Sequence, residues 1–182
     1  MFLRSPADIC IYGGAAGGGK TYALLLECLR HIDNKLFEAV IFRQSRPQIM
    51  SAGGLYATSQ EIYPHLGASS VLTPNVQWRF QSGAKVTFAH MFYEKEKYNW
   101  QGSQIPLLMF DELVHFTESQ FFYMFSRNRS TCGVRPYIRA TCNPDGESWV
   151  ARFIDWWIDP ETGYADESRC GKLRYFIRRN NI

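Results

Sequence analysis

At 182 residues the chain is long enough for one substantial core and too short for two full catalytic domains. Apolar residues at 46% and aromatics at 15%, against 20% charged, exclude a disordered tail or a low-complexity scaffold. A net charge of +3 permits contact with a polyanion without requiring it.

Along the chain, Asp8 to Tyr12 is a β-prone run that stops at Gly13-Gly14, and from Lys20 to Ile32 the apolar spacing is that of a helix. Glu38 to Phe42 reads as a buried strand. It ends in the polar stretch Arg43 to Arg46 and then Pro47, which suits a first helical turn; that helix is expected to run to Tyr63 with a break near Gly53-Gly54. Val76 to Phe80 and Lys85 to Ala89 flank Gln81-Ser82-Gly83-Ala84, a hairpin signal. Ile105 to Phe110 is nearly all apolar, like a strand buried on both faces of a parallel sheet, and it terminates in Asp111-Glu112. Thr117 starts a helix, with Gln120 completing a capping box. Pro136 to Thr141 reads as a strand, Glu147 to Ile158 as a helix, and Leu173 to Ile177 as a last strand. Strands alternating with helices predict a single α/β domain over residues 1–182 with a largely parallel sheet.

Three motifs carry chemistry. The segment Gly14-Ala15-Ala16-Gly17-Gly18-Gly19-Lys20-Thr21 fits G-x-x-x-x-G-K-[ST] between a predicted strand and a predicted helix. Its backbone N–H groups and the helix N-terminus suit the β- and γ-phosphates of a nucleotide, Lys20 neutralises phosphate charge, and Thr21 offers a hydroxyl to Mg²⁺. Tyr22, next along the helix, either stacks near the sugar or base or serves helix packing. A strand ending in Asp111 and Glu112 has the Walker B pattern: Asp111 is expected to hold Mg²⁺ through its waters, and Glu112 to polarise the attacking water. Arg139-Ala140-Thr141-Cys142-Asn143-Pro144 delivers polar groups to the same sheet edge, so Thr141, Cys142 and Asn143 are candidates for sensing the γ-phosphate; a plain strand-to-helix turn is the simpler alternative.

Other residues are less selective. Arg43, Arg46, Arg127, Arg129 and Arg135 lie near predicted strand ends or the segments leading to them, as candidate arginine fingers or DNA contacts. Tyr93 to Trp100 interleaves charge with aromatics and fits either a nucleic-acid backbone or a solvated helix. Trp149, Trp156 and Trp157 fit a core or a docking face. Five cysteines (Cys10, Cys28, Cys132, Cys142, Cys170) without a C-x-x-C pair indicate reduced, mostly buried thiols. His31, His65, His90 and His115 lack metal-ligand spacing. No apolar run approaches the roughly 18 residues that cross a bilayer, and Met1 to Asp8 lack the apolar core of a signal peptide, so no membrane contact and a cytosolic location are expected.

Taken together, GGAAGGGKT, LLMFDE and ATCNP, in this order, resemble the N-terminal ATPase domain of the large terminase subunit of tailed bacteriophages. NWQG before the second motif, RNRSTCGVRPYIRATCNPD after it and the aromatic helix that follows add to the likeness, which spans about Ile9 to Phe153. The resemblance implies a P-loop NTPase of the ASCE type, a three-layer sandwich with a mainly parallel sheet and an added antiparallel hairpin. It implies a Mg²⁺-dependent ATP hydrolase that, as a ring docked on the portal protein and working with a small terminase subunit, packages double-stranded DNA in the host cell cytoplasm. Lys20 and Thr21 would take the phosphate-loop roles, Asp111 the metal role, Glu112 the catalytic role, and Thr141 to Asn143 the coupling role. The family's C-terminal nuclease is expected to be absent, and with it any nuclease activity. Two departures stand out: Ala16 replaces the basic residue that many members carry in the loop, and only eight residues precede Ile9, where the adenine-contacting segment normally lies. A helicase-like or recombination ATPase and a non-hydrolysing nucleotide-binding assembly module are the alternatives.

Overall fold

The computed structural model describes residues 2–15, 17–143 and 145–177. Its strands are β1 (Ile9–Gly13), β2 (Glu38–Arg43), β3 (Ser69–Val71), β4 (Val76–Arg79), β5 (Lys85–His90), β6 (Leu107–Phe110) and β7 (Tyr137–Cys142). They form one sheet in the order β1-β7-β6-β2-β5-β4-β3. The first five in that order run parallel, and β4 is antiparallel to both β5 and β3. The carboxyl ends of β1, β7, β6, β2 and β5 therefore share one edge. The hairpin expected at Gln81 to Ala84 joins β4 to β5, with Gly83 at φ 100° in its turn. β3 is not legible in the sequence, because its three residues are all exposed and leave no apolar alternation to read.

Alternation along the central strands builds two cores. Ala39 and Ile41 of β2, with Leu107 and Met109 of β6, face one side; Val40, Phe42, Leu108 and Phe110 face the other. The first core is covered by Leu24 and Leu25 of α1 (Lys20–Glu27), Ile49 of α2 (Arg46–Met50) and Leu55 of α3 (Leu55–Gln60). The second is covered by Phe121 and Met124 of α4 (Glu118–Phe125) and Val150 of α5 (Trp149–Phe153). This is the three-layer α/β sandwich that strands buried on both faces require.

Local signals set most of the helix ends. α1 continues as a 3-10 turn over Cys28–His31. The glycine break separates α2 from α3 as expected. At Gly54 an added Cβ would lie 2.6 Å from the Gln48 carbonyl oxygen and 2.9 Å from those of Ile49 and Ser51, so only glycine fits. Thr117 caps α4 by accepting the Gln120 N–H at 3.0 Å, while the Gln120 side chain accepts the Thr117 N–H at 2.9 Å. A buried charge cluster ties α1 to β7: the fully buried Glu27 carboxylate accepts from Arg30 at 2.8 Å and lies 4.0 Å from Nε of Arg139.

Three expectations are corrected. The helix expected over Glu147 to Ile158 is α-helical only through Phe153 and then becomes a 3-10 turn, Asp155–Trp157. There Trp156 and Trp157 meet edge to face and the Arg169 guanidinium covers Trp156, so aromatic packing overrides the helical spacing. Leu173 to Ile177 forms no strand; Phe176 rests edge-on against Phe153, and among the described residues no neighbour supplies a hydrogen-bonding ladder. Tyr93 to Trp100 is not a fully solvated helix. Glu94–Trp100 is a 3-10 turn docked on α4 through Lys97, which is buried, bonds Ser119 at 2.5 Å and pairs with Glu94. Among the described residues no helix is long and apolar enough to cross a membrane.

Candidate nucleotide-binding site

The phosphate loop leaves β1 at the shared carboxyl edge and enters α1. Gly17 and Gly19 sit at φ 80° and 72°, left-handed values that a side chain would oppose. The loop is tied to its surroundings at three points. Tyr12 donates its hydroxyl to the Gly18 carbonyl at 2.9 Å, the Gly14 N–H donates to the Cys142 carbonyl of β7 at 3.2 Å, and the Lys20 ammonium donates to the Gly14 and Ala15 carbonyls at 2.6 and 2.8 Å. Ala16 and Pro144 lie outside the described residues.

Strand order brings the other two motifs to this loop. β7 lies between β1 and β6, so Thr141 and Asn143 stand between the phosphate loop and the Asp-Glu pair. The Thr141 hydroxyl, fully buried, donates to Oδ1 of Asp111 at 2.8 Å and accepts the Glu112 N–H at 3.1 Å. Asn143 accepts from the Lys20 ammonium through Oδ1 at 2.8 Å, and its N–H donates to Oε2 of Glu112 at 3.2 Å. These two residues thus touch Lys20, Asp111 and Glu112. Glu112 is the one non-glycine residue among those described with positive φ, 59°, a strained conformation of the kind that collects at functional sites. Cys142, between the two clamping residues, is buried; burial and the nearby Glu112 charge push its thiol pKa up.

Asp111 is also buried, which pushes its pKa up, while the Arg43 charge and the Thr141 hydrogen bond act in the opposite direction and favour the carboxylate. The Arg43 guanidinium lies 3.2 Å from Oδ2 of Asp111. Thr21, Arg43, Asp111 and Glu112 line one pocket of about 160 Å³ whose far wall is Gln48 and Ser51 to Gly54. A hydroxyl and a carboxylate in one small pocket are hard oxygen donors. They fit Mg²⁺, which completes its shell with phosphate oxygens and water rather than with a protein cage.

The remaining candidates disperse. Tyr22 donates its hydroxyl to Glu61 beyond α3, a helix-packing contact. Arg46 donates to the Leu72 and Pro74 carbonyls at 2.8 and 3.2 Å. Arg127, Arg129 and Arg135 lie at the opposite, amino ends of the strands: the Ile105 N–H bonds the Arg127 carbonyl, Arg129 donates to the Ser103 carbonyl, and Arg135 pairs with Asp8. They lie at the end of the sheet opposite the glycine loop. A larger hollow of about 460 Å³, lined in part by Arg30, Tyr137 and Arg139, also belongs to that amino end and is remote from the loop. The glycine wall of this pocket has only Gly53-Gly54 as its signal in the sequence. The pairing of Arg43 with Asp111 has no local signal, because strand register sets it.

A mainly parallel sheet with a glycine loop at the end of β1, carboxylates at the end of β6 and polar groups on the strand between them is the layout of the P-loop NTPase fold. A family model described as terminase large subunit, T4likevirus-type, N-terminal, matches residues 11–177, and the chain belongs to that family. Solved structures agree in fold. The large terminase of a thermophilic bacteriophage matches with a TM-score of 0.63 at 18% identity, over 82% of this chain and 38% of that one. The same terminase in complex with ATP-γ-S matches with a TM-score of 0.54 at 18% identity, over 75% and 32%. The N-terminal domain of the DNA packaging ATPase of bacteriophage phi29 matches with a TM-score of 0.57 at 13% identity, over 84% and 82%. The chain spans well under half the length of the thermophilic-phage terminase. No functionally curated protein matches the sequence.

Proposed function

We propose that this chain is the ATP-hydrolysing part of a DNA-packaging motor, using Mg²⁺-ATP to move double-stranded viral DNA into a procapsid. The observation that carries the reading is the clamp from β7, in which Thr141 and Asn143 touch Lys20, Asp111 and Glu112 together. A glycine turn with no ligand has no need of such a clamp. Membership of the terminase large-subunit family and likeness to a packaging ATPase supply the direction of the work.

The roles follow from the side chains. Lys20 exchanges its carbonyl partners for phosphate oxygens. Thr21 and Asp111 would hold Mg²⁺, which would supply positive charge against that developing on the phosphates. Glu112 orients a water against the terminal phosphate and takes its proton, for which its carboxylate leaves the Asn143 N–H. Asn143, bonded to both Lys20 and Glu112, carries the report that the phosphate is present or gone. Self-association in a ring, with a neighbour supplying an arginine, is part of the proposal, as are the portal protein and small terminase subunit as partners and the host cytoplasm as the location.

The test is phosphate release from Mg²⁺-ATP as a function of protein concentration. A rate per chain that climbs with concentration and falls about 10²-fold or more in Glu112→Gln supports hydrolysis completed between neighbours. Lys20→Ala is expected to lose nucleotide binding. Undiminished binding in that variant, or normal turnover in Glu112→Gln, refutes the assignment.

A further inference from the structure

Arg43 is the last residue of β2, and its place follows from strand register. Phe42 pairs with Phe110 across the β2–β6 ladder, and the Asp111 N–H donates to the Phe42 carbonyl at 2.9 Å, so the next residues, Arg43 and Asp111, emerge side by side. The guanidinium sits 3.2 Å from Oδ2 of Asp111 while Thr141 holds Oδ1 at 2.8 Å. The two oxygens of this carboxylate thus each have a partner inside the protein. Only one of those partners, the hydroxyl, is neutral and compatible with a nearby divalent cation. Arg43 also lines the same small pocket as Thr21, the other hard donor.

We propose that Arg43 is a displaceable counter-ion of Asp111 that excludes divalent metal from the site until metal arrives together with nucleotide phosphates. The inference rests on the Mg²⁺-ATP reading above and adds its regulation. A guanidinium within ion-pair distance neutralises the carboxylate and repels a cation approaching it. Phosphate oxygens offset both effects: they supply the missing negative charge for the metal and an alternative partner for the fork of Arg43. Metal and nucleotide binding are therefore coupled, and Arg43 is a positioning residue that acts through Asp111.

The experiment is titration with Mn²⁺, followed by electron paramagnetic resonance without nucleotide, on the wild-type protein and on Arg43→Gln. Binding of a fluorescent ADP analogue is measured on the same samples. Arg43→Gln is expected to bind Mn²⁺ about tenfold more tightly than wild type, the factor expected when one like charge leaves a partly buried site. A role in folding alone would weaken metal binding rather than tighten it. Arg43→Lys keeps the charge and is expected to bind Mn²⁺ no more tightly than wild type, and Asp111→Asn in the Arg43→Gln background should erase the gain. If both proteins bind the analogue while Mn²⁺ affinity is unchanged or weaker in Arg43→Gln, the metal-gating inference is overturned and the nucleotide site stands. If neither binds the analogue, the reading of the site falls and this inference with it.

Discussion

Replacing Thr141 with valine removes one hydroxyl and almost nothing else, and the geometry gives the expected cost. The side chain is fully buried, its hydroxyl donates to the Asp111 carboxylate at 2.8 Å and it accepts the Glu112 N–H at 3.1 Å. A hydrogen bond to a charged group contributes about 1.5–3 kcal/mol, and an amide left without its acceptor costs about 1–3 kcal/mol when buried. Glu112 is half-buried, so its amide recovers part of that from water, and the net destabilisation is about 2–4 kcal/mol. For a domain of this size each kcal/mol moves Tm by about 2–4 °C, giving a fall of roughly 5–15 °C by calorimetry. Function should suffer more than stability, because the same hydroxyl favours ionised Asp111 and holds Glu112 in its left-handed conformation. Turnover of Mg²⁺-ATP is expected to drop about 10²-fold, with the fold intact by circular dichroism. Thr141→Ser keeps the hydroxyl and should retain most activity. If Thr141→Val matches wild type in Tm and turnover, or if serine fails as badly as valine, the clamp is not what organises these carboxylates.

Gly54→Ala would drive a Cβ to within 2.6–2.9 Å of three carbonyl oxygens, so a destabilisation of about 1–3 kcal/mol in urea titrations is expected, together with weaker Mg²⁺-nucleotide binding as the pocket wall shifts. Glu27→Gln replaces the fully buried carboxylate that faces Arg30 and the buried Arg139 with a neutral amide, at a cost of about 3 kcal/mol or more; an unchanged denaturation midpoint would show the cluster to be inert. Burial and the Arg30 charge lower the pKa of His31, so the folded state binds its proton less readily than the unfolded chain. Stability from this group is thus fully present above its ordinary value near 6.5 and declines as pH falls through that value toward the lowered one. His31→Gln should flatten that acid limb of a Tm-against-pH profile.

What can be read from residues alone is local. Glycines at fixed spacing before Lys20-Thr21, an apolar strand ending in two carboxylates and a capping box at Thr117 each encode their geometry within a few residues, because φ preferences, strand burial and side-chain-to-backbone bonds act over that range. Elements whose form depends on distant partners escape such reading. Trp156 and Trp157 at helical spacing form a 3-10 turn because aromatic and guanidinium contacts fix them there, and Leu173 to Ile177 have no neighbouring strand among the described residues. β3, exposed throughout, carries no pattern at all.

The site divides in the same way. Residue identity and spacing are enough to say which groups are available: a glycine loop before Lys20-Thr21, two adjacent carboxylates at the end of an apolar strand, and polar groups at the end of a third strand. Which of these groups meet depends on β7 lying between β1 and β6, an arrangement that lets Asn143 bridge Lys20 and Glu112 across 123 and 31 residues of chain. The same arrangement sorts the arginines, placing Arg43 on Asp111 and Arg127, Arg129 and Arg135 at the far end of the strands. Five guanidinium groups have the same local signature, and strand order and register alone set which one meets a carboxylate of the site.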